Sequence, residues 1–310
     1  MSLKVIAPFL AKCVDRSDIA KVAVNPLDWI IPRLGNDYES LSFHFFINWN
    51  QNPPVVSGPF WLSRLIIASS PNELITAKDE DVLAAYKVAG SDILLSHLDE
   101  LARSNSTNAE CVLLGEMDTK LVNSQSPVWI IKHDNEANGQ LSINRITIAG
   151  LGKYIESIRK GSAALGSKGL IYGTSAVECW LSRTNNLFPG DCDCLILKNG
   201  VPVSIIELKK HTLNDPISNN LASRYYPGQD SRKYDSLFAL KRYLEQNYQV
   251  KIPLSIIYFA TRFSAYRVQV IEKGQTGLRV LRDTNDVRYV ISDNNSVSAF
   301  GNRILEVILP

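Results

Sequence analysis

Three ionisable residues in the second half of the chain have the types and spacing that suit metal-assisted hydrolysis. Asp193 lies on a short apolar run, and Glu207 and Lys209 close the next one. Because a strand alternates its faces with period two, Glu207 and Lys209 should point the same way while Leu208 points into the core. Asp193, on the partner strand, can face the same spot. Two carboxylates and an ammonium that converge there suit a divalent cation and an attacking water.

The segments that must position these residues are predicted to form a β-hairpin. Residues 192–197 and 201–206 are short apolar runs, as expected of strands, and Asn199-Gly200 between them is a hairpin-turn signal. The elements predicted around the hairpin are a helix over 176–182 before it, and an amphipathic helix over 230–246 and a strand over 254–260 after it.

This pattern of an Asp, a hairpin and then Glu-x-Lys resembles the PD-(D/E)xK nuclease superfamily, over about residues 170–260. The order of helix, hairpin, helix and strand matches the order of elements in the core of that family. The resemblance implies an α/β fold with a restriction-endonuclease-like core, in which helices flank a mixed central β-sheet. It also implies hydrolysis of phosphodiester bonds with Mg²⁺, for which Mn²⁺ can substitute.

The resemblance assigns roles to five residues. Asp193 and Glu207 are the expected metal ligands, and Lys209 would orient the attacking water or stabilise charge on the phosphate. Asp191 shares the face of Asp193 and follows Pro-Gly, so it is either the first acidic residue of the family pattern in place of Asp193 or an additional metal ligand. The structural alternative is that Asp191 is a turn residue at the start of the strand. Glu178 on the preceding helix would complete the catalytic site, the alternative being a solvated helix residue.

Four further residues are candidates for contacts with nucleic acid: His211, Arg232, Lys233 and Gln229. His211 is in phase with the Glu-x-Lys pair, and a surface histidine at a strand end is its alternative. Arg232 and Lys233 can touch phosphate or form a solvated basic helix face. Gln229 and Tyr234 approach the Gln-x-x-x-Tyr pattern of exonuclease-like branches, but their spacing is one residue longer.

Composition and charge point to a soluble globular protein with two unlike halves. Of its 310 residues, 45% are hydrophobic and 21% charged. Residues 1–150 carry 12 Lys and Arg against 17 Asp and Glu, whereas residues 151–310 carry 21 against 14. The basic half, which holds the candidate site, suits a phosphate backbone, although chance partition of surface charge would look the same. We therefore predict an N-terminal α+β domain over 1–140, for recognition, oligomerisation or regulation, and a nuclease domain over 141–310.

Hydrophobic periodicity predicts further elements along the chain. The elements are strands over 41–48 and 60–69, two helices within 78–103 separated at Gly90, and an apolar run of unassigned structure over 302–309.

The cysteines and the hydropathy predict a cytoplasmic location. Five cysteines without framework spacing indicate free thiols in a reducing compartment. Cys192 and Cys194 alternate with the acidic residues and should be buried thiols rather than zinc ligands. No apolar run has the length of a membrane span, and the N-terminus lacks the pattern of a signal peptide, so no membrane partner is expected.

The function predicted from these residues is a Mg²⁺-dependent endonuclease with nucleic acid as its partner. Double-stranded DNA is the expected substrate, and restriction or phage defence the expected role. The alternatives are a repair or recombination nuclease, an RNase of the same fold, and a non-catalytic nucleic-acid-binding or assembly protein. A homodimer is one assembly that would suit such an enzyme, but the sequence does not predict the oligomeric state.

Overall fold

The computed structural model describes residues 3–8, 11–12, 25–103, 107–116, 122–134, 140–158, 172–173, 176–181, 189–228, 231–290 and 293–310. Its strands are β1 (Lys4–Ile6), β2 (Ala11–Lys12), β3 (Tyr38–Asn48), β4 (Val55–Ile67), β5 (Ala109–Gly115), β6 (Pro127–Asp134), β7 (Gln140–Thr147), β8 (Tyr172–Gly173), β9 (Gly190–Lys198), β10 (Val201–His211), β11 (Leu254–Ala260), β12 (Ala265–Lys273), β13 (Leu278–Asp283) and β14 (Val287–Arg288). Its α-helices are α1 (Leu27–Ile30), α2 (Pro71–Ile75), α3 (Asp79–Val88), α4 (Ser91–Arg103), α5 (Ile148–Ile158), α6 (Ala176–Leu181), α7 (Ala222–Tyr225), α8 (Ser231–Tyr248) and α9 (Asn294–Ile308).

The chain divides into two compact units that are both discontinuous in sequence. The first unit comprises Met1–Arg16 and Phe43–Asp191, and the second comprises Ser17–Ser42 and Cys192–Pro310. The boundary predicted between residues 140 and 141 falls inside β7, which belongs to the first unit. Each unit contains a mixed β-sheet and helices, so the predicted α/β class is confirmed at that level.

The first unit is built on the strand order β3-β4-β5-β6-β7, with β1 paired to the far end of β4. The pairing of β4 with β5 is parallel, and that of β5 with β6 and of β6 with β7 is antiparallel. Helices α3 and α4 connect β4 to β5, as a parallel pair requires. Every residue of β5 is buried, which fits a central strand covered on both faces.

The second unit is built on the strand order β13-β12-β11-β10-β9, and the first residues of β3 lie beside β9. The β9–β10 pair is an antiparallel hairpin, whereas β10 and β11 are parallel and are joined through α8. Helix α8 packs on β10 and β11. The predicted order of hairpin, helix and strand is therefore observed, and the polar residues of β10 meet α8 on one face.

The opposite face of this sheet is covered by α1 and α9. The ring of Trp29 on α1 lies 4.9 Å from the ring of Tyr289 and 6.2 Å from that of Tyr266, measured between centroids. Gly301 allows α9 to approach α1 closely, because a Cβ at this position would lie 2.2 Å from the carbonyl oxygen of Trp29. The N-terminal segment thus completes the hydrophobic core of the second unit.

Most predicted elements near the site have the predicted type. The strand over 254–260 matches β11, the helix over 230–246 corresponds to α8 from Ser231 onward, and Gly90, at a φ of +64°, separates α3 from α4 as expected. The unassigned run over 302–309 proves to be the last part of α9 together with Leu309.

The cysteine prediction is wrong in one respect. Cys111, Cys192 and Cys194 are free and buried, as expected of the pair on β9. Cys179, however, is in a disulfide, and its partner lies outside the described residues. An odd number of cysteines does not exclude one bonded pair. Because disulfides are typical of oxidising compartments, the cysteines no longer support a cytoplasmic location, which stays a prediction. Within the described ranges, no helix has the length and apolar character needed to cross a membrane.

An ionic cluster at the edge of the second unit leads to a prediction on acid stability. Arg267 donates to Asp283 through Nε (2.9 Å) and Nη2 (2.6 Å), and Gln269 donates to the same carboxylate (2.7 Å). Burial opposes ionisation of Asp283, but these hydrogen bonds outweigh it and lower its pKa. A lowered pKa contributes stability that is complete above the ordinary value and is lost as the pH falls through the folded-state value.

We therefore expect Asp283→Asn to lower the free energy of unfolding at pH 7 by about 1–3 kcal/mol. The difference from the wild type should shrink at about pH 3, because the carboxylate of the unfolded chain is then largely protonated and the lowered pKa of folded Asp283 contributes less stability. Urea unfolding at both pH values measures the effect. Glu272→Gln is the control, because Glu272 pairs with Arg279 on the surface, where solvent screens the charges. An Asp283→Asn loss that is the same at both pH values would contradict the linkage.

Candidate functional site

The β9–β10 hairpin positions the three residues that the sequence singles out. Its turn places Asn199 at a φ of +50° and Gly200 at +75°, as a two-residue turn with both central residues left-handed requires. The last residue pair of the antiparallel ladder is Ile206 with Cys194. Continuing this register places Asp193 opposite Glu207, at the point where the ladder ends.

Asp193 is fixed by hydrogen bonds to both its side chain and its backbone. Its Oδ2 accepts from the backbone N–H of Leu208 at 2.6 Å, and its carbonyl oxygen accepts from the hydroxyl of Ser42. The carboxylate also acts on its neighbour, because burial first and then the charge of Asp193 raise the pKa of the Cys194 thiol to about 12. Asp193 is therefore a half-buried, oriented carboxylate beside Glu207.

Glu207 and Lys209 lie on the face of β10 that meets α7 and α8, as the alternation predicted. Glu207 is 1% exposed and forms an ion pair with Lys233 of α8. The ammonium of Lys209 lies 5.3 Å from the ring centroid of Tyr225 and 5.8 Å from that of Tyr234. Leu208 faces the other way and packs against the core around α1 and α9. A buried carboxylate and two ammonium groups thus lie on one side of the strand.

The remaining candidates occupy different environments. Asp191 is exposed at the start of β9, and Arg232 is exposed on α8. Lys233 pairs with Glu207 instead of extending only into solvent. Glu178 lies on α6, where its side chain is outside the described residues, and Gln229 is wholly outside them.

His211 is buried, so the alternative of a surface histidine at a strand end is wrong. It is 5% exposed, and its Nε2 lies 2.6 Å from the carbonyl oxygen of Asp215. Because a carbonyl oxygen only accepts, this nitrogen carries the proton and donates it. The ring also meets Phe263 edge to face, with centroids 5.8 Å apart. His211 therefore anchors the loop after β10.

The acidic pair offers the ligand chemistry that Mg²⁺ prefers. Among the residues that the structure describes, no group of three or more His, Cys, Asp or Glu side chains could hold a metal ion. Mg²⁺, however, is usually bound by one or two carboxylates, with water and substrate phosphate completing its shell. Asp193 and Glu207 supply two carboxylates on adjacent strands. Glu207 already pairs with one cation, the ammonium of Lys233. The donor set fits a hard divalent cation.

Two aromatic residues at the site were not predicted as part of it. Tyr225 and Tyr234 flank the ammonium of Lys209, and Tyr234 is 1% exposed. Tyr234 was considered only for its spacing from Gln229. Tyr225 precedes Pro227 in a loop-like segment, and only the aromatic pair Tyr225-Tyr226 near two prolines could have drawn attention to it.

A second polar constellation, in the first unit, has the residue types of a hydrolase triad. Ser96 Oγ lies 3.4 Å from His133 Nε2, and His133 Nδ1 lies 3.4 Å from Asp99 Oδ2. The serine hydroxyl, however, donates to the carbonyl oxygen of Asp92 at 2.9 Å, and Asp99 accepts from the backbone N–H of Ala109 at 3.1 Å. These bonds connect α4 to β5 and β6 and leave the serine proton directed away from the imidazole.

Comparisons with known proteins add no family. No protein-family model and no curated protein sequence matches this chain. Among solved structures, it is similar to one described as the crystal structure of sex pheromone staph-cAM373 precursor. The identity is 8%, the match covers 89% of this chain and 84% of that chain, and the TM-score is 0.19. A TM-score this low carries no argument about fold or function.

Proposed function

We propose that this protein is a metal-dependent nuclease that hydrolyses phosphodiester bonds of nucleic acid, with DNA as the preferred substrate. The observation that carries the proposal is the register that sets Asp193 opposite Glu207 at the end of the β9–β10 ladder, with Lys209 on the same face of β10 as Glu207. The strand order around them, with β9 and β10 antiparallel and β11 parallel to β10 through α8, supports a restriction-endonuclease-like core. Restriction or defence remains the expected role by analogy alone.

The residues at the candidate site would have separate roles in such a reaction. Asp193 and Glu207 would hold Mg²⁺, which when bound would neutralise charge on the phosphate and orient its oxygen atoms. Lys209 is held by two tyrosine rings near these carboxylates, so its ammonium can bind a phosphate oxygen and stabilise the charge that develops there. Lys233 pairs with Glu207, and a bound cation would take its place beside that carboxylate.

The direct test is a cleavage assay with the purified full chain. We expect Mg²⁺ or Mn²⁺ to support cutting of DNA, and EDTA or Ca²⁺ to prevent it. Circular plasmid, linear duplex, single-stranded DNA and RNA, assayed side by side, separate an endonuclease from an exonuclease and a DNase from an RNase. An absence of cutting on all four substrates with both metals would contradict the proposal.

A second candidate function is a non-catalytic nucleic-acid-binding protein. The ion pair between Glu207 and Lys233 favours it, because the same contact would serve as a structural bridge between β10 and α8. Such a protein would bind DNA with an affinity that falls steeply as the salt concentration rises. Its Glu207→Ala variant would bind DNA as tightly as the wild type, and neither protein would cut nucleic acid.

A further inference from the structure

A cleft of about 230 Å³ lies beside Lys209, on the surface of the second unit. Lys209, Lys210 and Tyr225 are among its lining residues, and Leu213 adds an apolar side chain that is 52% exposed. The ammonium of Lys209 lies over the Tyr225 ring. The cleft therefore combines positive charge with flat apolar surface.

Hydrogen bonds hold the walls of this cleft in place. The hydroxyl of Tyr225 donates to Asn220 Oδ1 at 2.8 Å, and Asn220 Nδ2 donates to Asp215 Oδ2 at 2.9 Å. His211 secures the same loop through the carbonyl oxygen of Asp215. The backbone N–H of Ala222, at the start of α7, donates to the hydroxyl of Tyr258 at 2.8 Å. A ring fixed in this way can stack on a ligand without first losing much conformational freedom.

The chemistry of the cleft matches one nucleotide, not a duplex. Its volume is smaller than that of a drug-sized ligand pocket, so it has room for a single base or sugar-phosphate. Aromatic rings beside a positively charged groove are the usual way in which proteins hold unpaired bases, because every base has a stacking face. A base that enters such a space has left its base pair.

We propose that this cleft binds one unpaired nucleotide of a single-stranded substrate, with its base on Tyr225, next to the phosphate at Lys209. The inference rests on the proposed nuclease function, and it replaces the duplex expected from the family resemblance with single-stranded nucleic acid.

The test measures binding of a fluorescein-labelled thymidine oligonucleotide and of a matched labelled duplex by fluorescence anisotropy in EDTA. We expect the wild type to bind the single strand more tightly. Tyr225→Ala should weaken that binding by roughly 10–100-fold and weaken duplex binding much less, since stacking contributes about 1–3 kcal/mol per base. Tyr225→Phe keeps the ring that stacks and contacts Lys209 but loses the hydrogen bond to Asn220, so it should bind single strands much more tightly than Tyr225→Ala. Thermal unfolding of both variants confirms that they are folded.

The outcomes separate this inference from the nuclease proposal. Single-strand binding that depends on the Tyr225 ring, in a protein that never cuts, would support the cleft and overturn the nuclease function. If the wild type cuts DNA but Tyr225→Ala binds single strands as tightly as the wild type does, the inference about the cleft is overturned and the nuclease proposal stands. A folded Tyr225→Ala protein that loses single-strand and duplex binding equally would also overturn it.

Discussion

Replacing Lys209 with methionine is expected to lower the rate of DNA cleavage in Mg²⁺ by roughly 10²–10³-fold and to leave the protein folded. Methionine keeps most of the length and apolar contact of the lysine stem but removes the ammonium. The transition state of phosphodiester hydrolysis then loses a cation that the rings of Tyr225 and Tyr234 hold on the face of β10 that carries Glu207. Single-turnover cleavage at saturating enzyme measures the chemical step without a contribution from weaker binding.

Lys198→Met is a matched control for this experiment. Lys198 is also a lysine of the β9–β10 hairpin, and its ammonium lies 5.1 Å from the ring centroid of Tyr38. The substitution removes an equal charge and a similar ring contact at the turn, away from the carboxylates, so the cleavage rate should stay near that of the wild type. Equal losses in the two variants would mean that net charge, and not the position of Lys209, supports the activity.

Replacing Lys233 with methionine is expected to make the stability of the protein depend on Mg²⁺ more strongly than it does in the wild type. Glu207 has a side chain 2% exposed, and the variant deprives it of the cation with which it pairs. In EDTA we expect the free energy of unfolding to fall by about 1–3 kcal/mol. This is less than for a fully buried ion pair, because the side chain of Lys233 is 43% exposed. Mg²⁺ should recover much of this loss, because it no longer displaces an ammonium from Glu207.

The measurement is the shift in melting temperature between EDTA and Mg²⁺, compared among three proteins. Lys241→Met is the control, because it breaks the Lys241–Glu245 ion pair on the same helix without touching the candidate metal site. Its shift on adding Mg²⁺ should equal that of the wild type, while the shift of Lys233→Met should be larger. If Lys233→Met and the wild type respond equally to Mg²⁺, the metal and Lys233 do not compete for Glu207.

The hairpin was predictable because local rules determine most of it. Asn-Gly fixes the turn, the two apolar runs fix the strands, and period-two alternation places Glu207 and Lys209 on one face and Leu208 on the other. The same alternation buries Cys192 and Cys194. No contact far along the chain is needed for these features.

The features that escaped prediction depend on distant contacts. The pairing of Lys233 with Glu207 depends on how α8 packs across β10, which no pattern within either segment reveals. Gly301 and Asn302 look like helix breakers, yet Gly301 lies inside α9 because the carbonyl oxygen of Trp29 approaches it from α1. Residues 25–42 gave no sign that they belong with residues more than a hundred positions later.

The discontinuity of the second unit bears on how this protein is made and divided. The hydroxyl of Ser42 bonds to a residue 151 positions later, and Trp29 packs against rings at Tyr266 and Tyr289. On the ribosome, residues 25–42 can therefore complete their contacts only after Tyr289 has been synthesised. A fragment cut at residue 141 would leave one edge of β9 unpaired and the aromatic surface under α1 bare, two features that promote aggregation. A shortened version of the candidate nuclease needs residues 25–42 joined to residues 192–310.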